Sequence, residues 1–110
     1  MFSSPTVAEG RVYVGSNDGF IYALDAVIGD LVWKADLGGP VLSSPAVAGP
    51  LLYVGSSDGR LYAIMVSSGE VAWTFQAGDR VWSSPAVVDG TVYFGSHDGY
   101  IYVLEGTPGR

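Results

Sequence analysis

This sequence predicts an all-β fold built from repeated four-stranded antiparallel sheets, and three observations predict it. The first is a period. Ser3-Ser4-Pro5 returns 40 residues later as Ser43-Ser44-Pro45 and again as Ser83-Ser84-Pro85. Tyr13, Tyr53 and Tyr93 keep that register, as do Asp18-Gly19, Asp58-Gly59 and Asp98-Gly99, then Tyr22, Tyr62 and Tyr102. The second is a set of short β-type runs bounded by glycine turns. The third is that no segment has a 3.6-residue apolar spacing with caps, so no helix is expected.

The middle copy shows how each element arises. Ser43 to Ala48 is short and small in side chain, with Pro45 near its start, and Gly49-Pro50 turns it into Leu51 to Ser56. Ser57-Asp58-Gly59 then makes a tight hairpin, because glycine accepts the positive φ such a turn needs. Arg60 to Val66 is the third strand, Ser67-Ser68-Gly69 the next turn, and Glu70 to Phe75 the fourth strand. Leu51 to Val54 and Leu61 to Val66 are nearly unbroken apolar runs, the pattern of strands covered on both faces. Four-stranded sheets repeated every 40 residues and covered on both sides are the blades of a β-propeller.

The expected division is a first blade over residues 3–42, a second over 43–82, and an incomplete third over 83–110. The first strand of each blade is small, as the crowded centre requires, and its unpaired inner edge tolerates proline. The last strand carries the bulk, Trp33 and Trp73, where blades diverge. Positions 111–116, which would supply the outer strand of the third blade, lie beyond the sequence. A propeller closes with about four to eight blades, so 110 residues predict a partial propeller with two apolar faces open. That implies a piece of a longer protein, a pair of copies making six blades about a two-fold axis, or a partner strand added to the last sheet. Association is expected in preference to a lone monomer.

Composition narrows the function. Apolar residues make up 48% of the chain and charged residues 15%, so the chain must bury most of its length and disorder is excluded. Five Lys and Arg against 11 Asp and Glu give a net charge of −6, and the five basic residues are scattered, so nucleic acid is not an expected partner. There is no cysteine, hence no disulfide and no thiol chemistry. No run of about 18 apolar residues predicts a membrane span, and the first residues lack the pattern of a signal peptide.

Ala23-Leu24-Asp25-Ala26-Val27-Ile28-Gly29-Asp30-Leu31-Val32-Trp33 resembles the tryptophan-docking motif of pyrroloquinoline quinone (PQQ)-type propeller repeats, Ala-x-Asp-x-x-Thr-Gly-x-x-x-Trp. The second copy matches at Ala63, Gly69 and Trp73, with Met65 in the Asp place and Ser68 in the Thr place. The third departs further, with Val103, Glu105, Pro108 and Gly109 at those positions. The resemblance implies that Trp33 and Trp73 stack on an alanine (Ala23, Ala63) and a glycine turn (Gly29, Gly69) of a neighbouring repeat. Each would then be a structural docking residue, costing about 3–5 kcal/mol on truncation to alanine.

Residues able to carry catalytic or binding chemistry are few. His97 is the single histidine, at a turn position that holds Asn17 and Ser57 in the other copies. Asp18, Asp58 and Asp98 precede hairpin glycines, which turn chemistry explains, and carboxylates in separate blades have no reason to meet. The serine pairs recur in every blade, which fits packing or channel lining better than a nucleophile needed once. No catalytic, cofactor-binding or metal residue is assigned. Trp82, aligned with Leu42 and Phe2, breaks the repeat and is a candidate partner contact.

The functional expectation is a non-enzymatic PQQ-like propeller module that binds protein, as scaffold or sensor, or associates with itself as a dimer. One alternative is a piece of a quinoprotein dehydrogenase holding PQQ and calcium; the resemblance implies for such enzymes a cofactor-stacking tryptophan, calcium ligands and an aspartate base, and no such set can be placed here. The other is a truncated or engineered repeat array without activity of its own. The parent family implies a periplasmic or extracytoplasmic setting.

Overall fold

Tight glycine turns between runs of β-formers give eleven strands in a computed structural model that describes residues 5–41, 43–81, 84–88, 90–96 and 98–105. The first sheet contains β1 (Thr6–Ala8), β2 (Arg11–Gly15), β3 (Phe20–Asp25) and β4 (Leu31–Asp36), in that spatial order. The second contains β5 (Ala46–Ala48), β6 (Leu51–Gly55), β7 (Arg60–Met65) and β8 (Val71–Gln76), again in order. The third contains β9 (Ala86–Val88), β10 (Thr91–Gly95) and β11 (Ile101–Glu105). Every pairing is antiparallel, and no helix occurs among the described residues. The chain is a partial β-propeller of three blades that does not close.

Innermost strands begin later than the sequence predicts: β5 starts at Ala46, not Ser43. Pro45 has no N–H to give a ladder, and the Ser43 hydroxyl, fully buried, accepts from the Gly55 amide at 3.2 Å. Adjacent innermost strands are joined by side chains. Thr6 Oγ1 donates to the Pro45 carbonyl at 2.5 Å, and the Ser44 amide donates to Ser84 Oγ at 2.9 Å. Hairpin tips follow turn chemistry: Gly59 has φ +93°, its amide donates to the Ser56 carbonyl, and Asp58 Oδ1 accepts from the Arg60 amide.

The core lies between the sheets. Because side chains alternate along a strand, Tyr13, Ile21, Ala23 and Trp33 face one way and meet Leu52, Val54, Tyr62 and Ile64 of the second sheet. One repeat later, Tyr53, Leu61 and Ala63, with Trp73 beside them, meet Val92, Phe94, Tyr102 and Leu104. The second sheet is therefore apolar on both faces, and β6 is buried at all five positions. Its neighbours are covered on one face each. Tyr93, Ile101 and Val103 point outward from the third sheet, and Val12, Val14, Tyr22 and Leu24 from the first.

Candidate functional site

The chemistry-bearing side chains gather at the joints between sheets. Trp33 lies on β4 and reaches the turn after β7, where its indole Nε1–H donates to the Val66 carbonyl at 2.8 Å. Its ring covers Gly69 so closely that an added Cβ there would come within 2.7 Å of ring atoms. Only glycine fits beneath the indole. Arg11 joins the same carbonyl, donating from Nη1 at 2.6 Å, so both lone pairs of the Val66 oxygen are used.

Ala23 and Ala63 sit elsewhere than the docking resemblance places them. Ala23 is the cross-strand partner of Trp33 within its own sheet, and Ala63 of Trp73 within its own. The small residue makes room for the ring on the same sheet, while the neighbouring sheet supplies the glycine turn. Gly29, the counterpart of Gly69, has φ +79° and open space where a Cβ would stand. Trp73 lies against Tyr53 as Trp33 lies against Tyr13, with ring centroids 5.9 Å apart in both. Its buried indole N–H, however, has no acceptor among the described residues. Trp82 and His97, and Gly109 of the third motif copy, lie outside the described residues.

A second lock runs the opposite way and was not foreseen from the sequence. Tyr62 Oη lies 2.5 Å from Asp58 Oδ2 and 2.9 Å from the carbonyl of Leu37, in the segment leading out of the first sheet. Ser56 Oγ donates to the same Leu37 carbonyl at 2.9 Å. One repeat on, the Gly78 amide donates to Asp98 Oδ2 at 3.0 Å and to Tyr102 Oη at 3.2 Å, and Ser96 Oγ donates to the Asp79 carbonyl. The signal was present as an aspartate four residues before a tyrosine in every copy. Turn chemistry accounted for the aspartate and so hid its second use.

These contacts set the titration of the pairs. The Tyr22 hydroxyl holds Asp18 below its ordinary 3.8, and Tyr102 does the same to Asp98. Burial first, then the hydrogen bond to Asp58, pushes the Tyr62 hydroxyl from 10.0 up to about 12. A tyrosine locked this way is a neutral donor, not a base.

No three His, Cys, Asp or Glu side chains converge on a metal position among the described residues. Asp58 and Asp98 are engaged at separate joints between sheets, while Asp18, Asp25 and Asp36 hold local turns of the first repeat. No described helix is long and apolar enough to cross a membrane.

Comparison with known proteins places these observations. The profile of the family described as outer membrane protein assembly factor BamB matches residues 2–110. BamB from Moraxella catarrhalis is similar at 28% identity and a TM-score of 0.83, over 96% of this chain and 34% of that one. The quinohemoprotein alcohol dehydrogenase ADHIIG from Pseudomonas putida HK5 is similar at 30% identity and a TM-score of 0.87, over 98% of this chain and 19% of that one. The computationally designed Ika4 protein shares the fold, with a TM-score of 0.84 at 16% identity, over 94% of this chain and 65% of that one. No curated protein matches the chain by sequence. The chain thus spans about a third of the BamB structure and a fifth of the dehydrogenase.

Proposed function

This chain belongs to the PQQ-type propeller-repeat family described as outer membrane protein assembly factor BamB, and on that premise we propose that it is a non-catalytic, protein-binding propeller segment. One observation carries the reading. The repeated polar side chains of the described joints (Ser56, Asp58, Tyr62 and their counterparts Ser96, Asp98, Tyr102) hold one sheet to the next, while apolar sheet surface faces outward at both ends. Catalysis needs a constellation that occurs once. Protein association needs apolar surface and strand edges, and those are what this molecule presents. Its partners are other protein segments of β character or a second copy of itself, in the extracytoplasmic setting that an outer membrane assembly family implies.

Fluorescence anisotropy with labelled strand peptides from an outer-membrane β-barrel tests the reading. Saturable binding supports it, and no binding at any peptide concentration removes it.

A second reading is kept because ADHIIG is similar over nearly the whole of this chain: a segment of a PQQ- and calcium-dependent dehydrogenase. Adding PQQ and calcium and following a bound chromophore together with dye-linked alcohol oxidation separates the two. A bound chromophore with turnover would displace the binding reading; an unchanged quinone spectrum without turnover is the outcome expected here.

A further inference from the structure

We propose that the turn between β3 and β4, at Val27 and Ile28, is a docking point for a protein segment whose apolar side chains are flanked by Lys or Arg. This rests on the protein-binding reading and gives it a place and a partner chemistry. The observation is a departure from the repeat. Val27 and Ile28 stand where the second copy has Ser67 and Ser68, and Ile28 takes the place of the motif's threonine. Val27 is 89% exposed and Ile28 69%, with Leu31 just beyond at 53%. No missing neighbour explains this. The second repeat has a sheet packed on each of its faces, yet Ser67 and Ser68 remain exposed. The position therefore faces solvent whatever repeats flank it, and a serine pair satisfies the fold there.

The turn is held in place as well as exposed. Asp25 Oδ1 accepts from the Val27 amide at 2.9 Å and the Ile28 amide at 3.1 Å, and the Gly29 amide donates to the Asp25 carbonyl at 2.9 Å. β-Branched side chains on a fixed backbone lose little freedom when a partner covers them. Charge then selects the partner. The Ala26 amide donates to the Gly10 carbonyl at 2.9 Å, which ties this turn to the one between β1 and β2 and brings Glu9 to the same end of the sheet. Glu9 and Asp30 are both exposed, and so is Glu70, beside the Gly69 turn that Trp33 covers. Arg11, the cross-strand partner of Asp25, gives its Nη1 to the Val66 carbonyl. Lys34, Arg60 and Arg80 lie toward the other end of the strands. An apolar point set among carboxylates fits a segment that brings the opposite sign around its own apolar residues. A second copy of the chain, at −6, and an anionic lipid surface are both disfavoured by like charge.

Backbone amide NMR on the isotope-labelled full chain tests it, with the peptide Lys-Lys-Leu-Val-Lys-Lys as the probe. Saturable shifts centred on Val27, Ile28 and Asp30 are expected, weaker in added salt. A variant carrying Val27→Ser and Ile28→Ser restores the turn of the second repeat. It is expected to keep the wild-type melting temperature and to bind about tenfold more weakly or worse. A variant carrying Glu9→Lys and Asp30→Lys alters no apolar contact, so it tests the site even if the serine variant fails to fold. It is expected to lose the lysine peptide and to gain Glu-Glu-Leu-Val-Glu-Glu. No saturable shift, shifts centred elsewhere, or unchanged affinity in the folded serine variant overturns the proposal. So does equal binding of the glutamate peptide by the wild type. Co-sedimentation with phosphatidylcholine vesicles that the serine pair abolishes also overturns it, in favour of a membrane. The two readings fail separately: saturable binding of barrel strand peptides without shifts at Val27 and Ile28 leaves the protein-binding reading and removes this site.

Discussion

The first and second sheets are written in nearly the same residues, yet they occupy different environments. Leu52 is fully buried between two sheets, whereas Val12, its counterpart, has a neighbour on one side only. β6 is buried throughout; β2 is buried only at Tyr13 and Gly15, which face the second sheet. Burial in this architecture is thus set by the adjacent repeat, not by the strand. The same lesson holds for the tryptophans. Trp33 finds a carbonyl and a bare glycine across its joint, whereas the Trp73 indole N–H, one repeat later, meets no acceptor among the described residues.

That contrast breaks most sharply at Trp33. Trp33→Ala is expected to cost about 3–5 kcal/mol in urea denaturation, since it empties the joint over Gly69. Trp73→Ala should cost clearly less, because the Trp73 side chain is only partly buried where Trp33 is buried. Equal losses at the two sites would erase the distinction between them.

Next in size is the sheet itself. Leu52→Ala should cost about 2–5 kcal/mol; Val12→Ala, measured where the chain is monomeric, should cost less than half as much. A third comparison sharpens the polar lock. Tyr62→Phe is expected to lose about 1–3 kcal/mol by removing the hydroxyl that ties Asp58 to this joint, although Ser56 still donates to the Leu37 carbonyl. Tyr22→Phe, whose exposed hydroxyl meets Asp18 within its own hairpin, should lose much less, as surface changes do.

The smallest effect is a pH slope. A hydroxyl raised from 10.0 to about 12 gives stability that is complete below pH 10 and lost between pH 10 and 12. Tyr62→Phe should flatten that alkaline slope in melting temperature, and an unchanged slope would clear Tyr62 of the effect. At the acid end the sign reverses. Asp98, lowered below 3.8 by Tyr102, gives stability present above that value and lost as pH falls through the lower one, so Asp98→Asn should blunt acid unfolding.

The architecture was legible because the 40-residue register repeats turn glycines and strand formers together, and each turn fixes where the next strand starts. Strand β5 was read three residues too early because serine is β-compatible in isolation, while Ser43 uses its hydroxyl on Gly55 in the fold. The joints were only half legible. Trp33 and Gly69 stood out through the motif, but the placement of Ala23 and the reach of Arg11 depend on which sheet lies opposite, and spacing along the chain does not carry that. The aspartate–tyrosine locks showed as a pattern without a purpose, since the Leu37 and Gly78 backbone groups they meet have no residue signature.

The two kinds of fastening point in opposite directions: the indole reaches forward to the following repeat, and the phenol reaches back to the preceding one. The middle unit thus offers the first both a receptacle, at Val66 and Gly69, and a plug, at Tyr62. Duplicating or deleting 40 residues by unequal recombination would leave every remaining seam properly mated. Blade number can therefore drift over evolutionary time without any seam having to be reinvented.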